Sequence, residues 1–496
     1  MKHGNYLKSV AIISLGGFAA KGIGALYRIP LVGALGGYGM GLYQMAYPLF
    51  CVLLTFSSAG IPSAFSRIIA GETARGMRTG GTVKTALSLF ALLGLCGTAL
   101  MCLFAPQMSG LQGDGNLLPC YFALAPSVFF VALIAVLRGY FQGRNDMVPT
   151  AVSEIVEQLV KASAGLLFAF RFADRPARAV ACTLAAVTAS EICAFLYLYV
   201  RYRREPRRGS LRVFKTGGAE ILYTAFPVMA ASALLPLSQT VDSVLIVRLL
   251  SRHTARAVSL YGLYAGGAVS LVSLPASVCY GLSAASVPVV SACFAAGREE
   301  EGRTRALWAL LFTLALSVPC AIGLFVLARP AVSILYGGLS PEDAQTLVRL
   351  VRLSSVSAAT LAGVDTLAAC LTGMGRAKHA AVNMLFAVLI KFSLQWLLVG
   401  SPAFSVGGAA IASNACYLVA FFLDLLYTFK KKVGRKKHDY GDRAGRSARR
   451  LFGTRALKNE AGGQGVASHG KAALGGGLEG EGDRIRISRF PLRKKP

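Results

Sequence analysis

Charge is scarce in this chain. Asp, Glu, Lys and Arg make up 15% of its 496 residues, against about 25% in ordinary soluble domains. Acids are scarcer still, 23 against 52 basic residues, while 54% of the chain is hydrophobic. So little polar material cannot clothe a soluble globule of this size. Histidine is also rare: 5 residues, scattered, with neither metal-ligand nor triad spacing. None of the 11 cysteines forms a C-x-x-C pair. That excludes zinc-ribbon and redox-dithiol readings and leaves them as small packing residues. The phosphate-binding G-x-x-x-x-G-K-[ST] loop, the H-E-x-x-H helix and the G-x-S-x-G elbow are all missing. The chain therefore reads as a non-enzyme with no catalytic residues, no metal and no cofactor. A cleavable signal is not expected either, because the apolar stretch from Val10 to Leu35 is too long for a signal core.

What the chain does have is apolar runs from one end to the other, with a mean hydropathy of +0.56. The expected fold is an all-α polytopic membrane protein of about twelve transmembrane helices. They fall near 9–35, 43–70, 83–105, 118–139, 148–170, 178–200, 219–250, 258–292, 306–328, 345–371, 380–400 and 404–429. Pro48, Pro62, Pro227, Pro236, Pro275 and Pro288 lie inside them and predict kinks. Connections near 36–42, 106–117 and 401–403 carry no Lys or Arg. The alternate connections carry Arg75, Arg78, Arg144, the 201–215 cluster, Arg298, Arg303, Arg305, Arg376 and Lys378. That alternation places both termini in the cytoplasm of a multi-pass plasma-membrane protein, although Arg171, Arg175, Arg178, Arg252 and Arg256 dissent. The net charge of +29 invites a nucleic-acid partner. Its location argues otherwise, since most of the excess sits in the 201–215 loop and beyond Lys430. Such juxtamembrane runs set topology and touch anionic lipid heads.

The chain also repeats itself. Residues 41–60 begin GLYQ and end at a glycine; residues 262–281 begin GLYA and do the same. YFQGRNDMVPTAVSEIVEQLVK (140–161) matches CLTGMGRAKHAAVNMLFAVLIK (370–391), pairing Gly143 with Gly373 and Lys161 with Lys391. Repeats of this kind predict two six-helix lobes related by an axis along the membrane normal, with a site between them. The expected organisation is a lobe over 1–200, a basic cytoplasmic loop over 201–218, a second lobe over 219–429, and a basic low-complexity tail over 430–496 that is expected to be disordered.

Cations at membrane depth mark the candidate site, because charge in lipid is costly. Arg28 and Arg248 each lie in an apolar helix just upstream of a matching segment, 220 residues apart, and Lys161 and Lys391 match directly. Lys21 shares a helical stripe with Gly17, Gly24 and Arg28. Arg28, Arg248, Lys161, Lys391 and Lys21 are the expected cationic cavity. Supporting roles go to Glu154, Glu157, Asp242, Asn383 and Gln395. Glu157 stands four residues before Lys161 and is placed to neutralise it. Lys391 has Met384 and Ala387 where Lys161 has acids, so it needs another anion, the substrate's being one candidate. Asp242 and Asp365 are candidates for holding a coupling cation or pairing with the arginines. Arg67 and Arg138 read as interfacial anchors near helix ends.

GALYRIPLVGALGGYGMGLYQMAYPLF (24–50), GIPSAFSRIIAGE (60–72), RGYFQGRNDMVPTAVSEIVEQLVK (138–161) and LTGMGRAKHAAVNMLFAVLIK (371–391) together resemble the stage V sporulation protein B and polysaccharide-biosynthesis branch of the MOP (MATE-like) flippase superfamily. The resemblance spans about residues 5–430. It implies a two-lobed bundle that alternates access, and a cargo such as an undecaprenyl-pyrophosphate sugar of the lipid II kind, used for peptidoglycan or polysaccharide. Cell-wall synthesis enzymes are then possible partners. An Na+ or H+ gradient, or the membrane potential, would supply the drive. That branch usually has fourteen helices, whereas this chain offers twelve and a basic tail. Two other functions fit the composition: a cation-coupled drug exporter of the MATE type, and a non-transporting scaffold for cell-wall enzymes.

Overall fold

The structure is a computed structural model. It describes residues 3–58, 61–77, 79–205, 229 and 233–430; the side chains up to Leu15 and those of Phe18, Lys21, Ala25, Ser63, Leu234 and Ala284 are outside the described residues. The tail beyond Lys430 and residues 206–228 of the basic loop, with Pro227, are outside them too. All regular structure among the described residues is helical, as the apolar runs predicted. Nine helices there are long and apolar enough to cross a membrane, so the chain is a multi-pass membrane protein.

The first lobe holds α1 (His3–Ser58), α2 (Ile61–Ala74), α3 (Gly80–Gln112), α4 (Leu117–Gly143), α5 (Val148–Arg171) and α6 (Pro176–Arg204). The second holds α7 (Leu234–Leu250), α8 (Ala257–Gly262), a π-helical turn (Leu263–Ala268), α9 (Val269–Ala295), α10 (Glu299–Val326), α11 (Ala328–Leu335), α12 (Pro341–Gly373), α13 (Ala377–Val399) and α14 (Gly407–Phe429). Local chemistry explains several ends. Ser340 accepts from the Asp343 amide at 3.2 Å, with Pro341, Glu342 and Asp343 behind it to complete the start of α12. Glu299, Glu300 and Glu301 face the positive end of α10.

The loop expected over 36–42 is a single residue. Gly36 adopts φ 64° and ψ −177°, a conformation open to glycine alone, and the chain turns there between two helical arms. Arg28 on the first arm comes within electrostatic reach of Tyr43 and Tyr47 on the second. Two of the expected proline kinks are helix starts instead: Pro62 lies in the first turn of α2 and Pro236 in that of α7.

The lobes share one core at the end of the bundle where α1 turns. Leu31, Met40, Met45, Tyr121, Ile246, Tyr261, Leu263 and Leu347 pack there in one cluster. The glycines that open the two repeats meet at this place, where a methyl group on Gly262 would overlap the Gly37 carbonyl and the Gly41 amide. Beside them, Gln44 donates to the Ala265 carbonyl at 2.9 Å. That carbonyl lies within the π turn. Gln112 donates to Met45 O at 3.0 Å and Ser243 Oγ at 2.9 Å, and accepts from Tyr121.

At the opposite end the packing divides. Phe65, Phe90 and Phe141 form a core of first-lobe residues that Met229 also joins, and Val290, Ala306 and Leu371 form a separate one inside the second lobe. Each lobe ties its turn there to its last helix. Arg144 pairs with Glu205 and Tyr140 in the first; Arg376 donates to Tyr427 O at 2.8 Å in the second. Large apolar side chains such as Leu92, Phe312, Trp308 and Leu397 are more than half exposed, as lipid-facing residues are.

Candidate functional site

In the second lobe, α7 places Ser238 and Asp242 one turn apart, facing α13. Lys391 of α13 donates to Ser238 Oγ at 2.9 Å and pairs with Asp242 Oδ2 at 2.7 Å. The pair is well shielded, its side chains 9% and 16% exposed. The other anion that Lys391 was expected to need is thus supplied by its own lobe and not by a substrate. One turn on, Gln395 is fully buried and neither of its amide atoms has a partner among the described residues. Asn383 stands apart from this group, donating at 2.8 Å to Asp424, a buried acid that the sequence reading passed over.

The first lobe arranges the matching lysine differently. Glu157 pairs with Arg138 of α4 at 3.1 Å, not with Lys161, and Arg138 also donates to Ser153 Oγ at 3.0 Å. Arg138 is thus not an interfacial anchor but part of the lobe interior. The Glu157–Lys161 pairing read from four-residue spacing is corrected as well, because α4 brings a closer cation. Lys161 makes no hydrogen bond or ion pair among the described residues. It stands within electrostatic reach of Glu157, Arg28 and the buried Glu191 of α6. Glu154 lines a cavity between α1 and α5 with Arg138, Glu157 and Gln158, and it too is engaged by a neighbour.

Between the lobes lies a cavity of about 1030 Å³, its mouth included. Arg28, Gln44 and Pro48 of α1 line one side; Asp242, Tyr264, Lys391 and Tyr417 line the other. Arg28 Nη1 reaches Ser270 Oγ at 3.5 Å, which joins the lobes across the space. A guanidinium, a shared ammonium and several hydroxyls against Leu, Val and Tyr walls suit an anionic group attached to an apolar body. Arg248 is not brought here. It is exposed at the end of α7 and donates to Leu111 O of the first lobe at 2.7 Å, so it braces the shared end of the bundle. Lys21 has its side chain outside the described residues.

Two residues carried readable signals that the sequence analysis did not use. Glu191 in ASEICAF and Asp424 in FFLDLL are single acids in apolar runs. Neither has a counterpart in the repeats, and a search weighted towards repeated cations passes over such positions. Among the described residues no group of three or more His, Cys, Asp or Glu side chains is placed to hold a metal.

Comparison with known proteins adds relatives. A family model described as polysaccharide biosynthesis protein matches residues 6–294, and one described as MatE matches residues 227–397. The chain is 27% identical over 421 residues to stage V sporulation protein B of Bacillus subtilis (strain 168), covering 82% of this chain and 80% of that one. It is 24% identical over 455 residues to the lipid II flippase MurJ of the same organism, covering 85% and 81%. Among solved structures, it superposes on an inward-facing multidrug resistance MATE family transporter of the MOP superfamily with a TM-score of 0.68 and 16% identity. That match covers 82% of this chain and 93% of the other, and it speaks for the two-lobed fold.

Proposed function

Since the chain belongs to the polysaccharide biosynthesis protein family, we propose that it is a flippase for a polyprenyl-pyrophosphate-linked sugar, a cargo of the lipid II kind, moved across the plasma membrane by alternating access. The observation that carries this reading is the inter-lobe cavity, with Arg28 on its wall and, within electrostatic reach of Arg28, Lys161, which makes no ion pair among the described residues. Arginine grips phosphate oxygens in pairs and lysine adds a point charge, so a diphosphate head group answers both. Lys391 contributes its hydrogen-bonding face while Asp242 holds its charge. The apolar remainder of the wall and the lipid phase take the polyprenyl chain.

Twelve passes complete the reading. The two arms of α1, α5 with its interior charges, and the short α7 join the clearly apolar spans. The lobe boundary falls in the basic loop 201–218, and the charge alternation of the turns puts both termini in the cytoplasm. In that orientation the shared core closes the outer end and the divided packing opens the inner end, where a precursor made in the cytoplasm would enter. Motion of one lobe against the other must then break the Gln44, Gln112 and Arg248 bridges in turn.

The test is reconstitution into liposomes with labelled lipid II, following its accessibility on each leaflet. Protein-dependent translocation is expected, reduced about tenfold by Arg28→Ala, the loss of roughly 1.4 kcal/mol of head-group binding. A protein that moves no polyprenyl-pyrophosphate sugar, or an Arg28→Ala variant that moves it at the wild-type rate, overturns the reading.

A further inference from the structure

A diphosphate held by Arg28 uses one side of the inter-lobe cavity. Among the described residues that line this space, Arg28, Asp242 and Lys391 carry charge, and Asp242 and Lys391 pair at 2.7 Å. The second-lobe wall is therefore close to neutral, and the net charge of the lining is the guanidinium on the α1 side. An anion is drawn to Arg28. The opposite wall suits a group that is polar and uncharged.

That wall has hydrogen-bonding capacity to spare. Gln239 of α7 lines the cavity as an exposed residue, and its amide makes no hydrogen bond among the described residues. Tyr417 of α14 lines it too, half-buried, with its hydroxyl equally unengaged among them. Ser354 of α12, 3% exposed on the same wall, has no partner for its Oγ. Other hydroxyls of the wall are committed. Ser238 accepts from Lys391 at 2.9 Å, and Tyr264 and Ser413 bond each other at 2.7 Å. These bonds fix the wall and leave Gln239 and Tyr417 to the space in front of it. Polar groups so placed are satisfied by water or by the hydroxyls of a ligand.

From this placement we propose that the second-lobe wall is a sugar subsite, in which Gln239 and Tyr417 read the sugar ring next to the diphosphate. A carboxamide donates and accepts at once, so it can bridge two neighbouring hydroxyls of a pyranose. Tyrosine offers an apolar ring to the C–H face of the sugar and a hydroxyl to its edge. A neutral wall does not compete with Arg28 for the diphosphate. The head group is thereby oriented, phosphates to the first lobe and sugar to the second. The cavity of about 1030 Å³, mouth included, leaves room for a ring beside the phosphates. This inference rests on the lipid-linked cargo proposed above and adds the residues that select its sugar.

Calorimetric binding of two probes to the purified full-length protein in detergent tests it. One is farnesyl pyrophosphate capped with N-acetylglucosamine; the other is capped with methyl, which keeps the charge and removes the ring. Wild type is expected to bind the sugar-capped probe about tenfold more tightly, the value of one or two neutral hydrogen bonds. Gln239→Leu should cut that preference to about twofold. Tyr417→Phe keeps the ring, removes only the hydroxyl, and should cut it about threefold. Arg28→Ala should weaken both probes alike and keep the preference. Binding of the methyl-capped probe shows that each variant is folded. No preference in wild type, or a preference that survives both Gln239→Leu and Tyr417→Phe, overturns the sugar subsite and leaves the flippase reading standing. Equal weakening of both probes by these two variants overturns it as well, since the residues then only shape the cavity. A wild-type protein that binds neither probe overturns the flippase reading, and the subsite falls with it.

Discussion

Lys161 and Lys391 hold matching places in the repeated segments, on α5 and α13, yet the two lobes treat them in opposite ways. The second lobe gives Lys391 a carboxylate and a hydroxyl from α7. The first lobe gives its carboxylate, Glu157, to Arg138 and leaves Lys161 without a direct partner among the described residues. The register explains part of this. Counting from the Arg28–Arg248 match, Ser238 and Asp242 correspond to Phe18 and Gly22, so the first lobe has no acid on that helix. Counting from Lys161–Lys391, Arg138 and Glu157 correspond to Ala368 and Ala387, so the second lobe lacks that pair. Each lobe lacks the other's counter-ion set. A repeated lysine is therefore not a repeated function. The second lobe satisfies its own lysine with an ion pair, and the first lobe does not; on the function proposed above, that difference leaves the first-lobe lysine for the cargo.

Four substitutions can break or sharpen this contrast. The largest effect on stability is expected from Asp242→Ala, which strands Lys391 where its side chain is only 9% exposed. Removing one partner of a buried pair costs about 3–5 kcal/mol. Thermal unfolding of the detergent-solubilised protein reads it, and Asp242→Ala/Lys391→Met should recover most of the loss. A single variant as stable as wild type would mean that the pair does not hold the second lobe together.

Arg138→Ala comes next. Its pair with Glu157 is more open, both side chains 18% exposed beside two cavities. Water can replace part of what is lost, so about 1–3 kcal/mol is expected. Arg138→Ala/Glu157→Gln should be closer to wild type by the same measurement. A loss as large as that of Asp242→Ala would erase the distinction between the lobes.

The smallest change in stability belongs to Lys161→Ala, within about 0.5 kcal/mol, because no direct bond is broken. The same variant should translocate labelled lipid II about tenfold more slowly, the value of one charge-assisted contact. Lys391→Ala should show the reverse pattern, with a clear loss of thermal stability. If both lysine variants lose stability equally, Lys161 has a structural partner and the asymmetry proposed for the cargo site fails.

Much of this was open to a reader of the sequence. Apolar runs gave the all-α membrane fold, the GLYQ and GLYA segments gave two lobes, and Arg28 was placed at the cavity from its depth in an apolar helix. Four-residue spacing misled for Glu157 and Lys161, because spacing along one helix says nothing of what the neighbouring helix offers. Arg138 sits on α4 at Glu157's level, and only packing places it there. Arg248 misled for a related reason: its match to Arg28 is sequential, but α7 ends beside Leu111 while the first arm of α1 has seven residues still to run before its turn at Gly36.

What the sequence determined by itself is what depends on composition and period: helices, membrane spans, the duplication, and the number of cations that must be housed away from lipid. The burial of apolar runs is insensitive to which helix lies next to which, so these features survive any arrangement. The pairing of charges is decided over a few ångströms between helices far apart in the chain. Tertiary structure alone assigned Asp242 to Lys391 and Arg138 to Glu157, and so left Lys161 without an ion pair among the described residues.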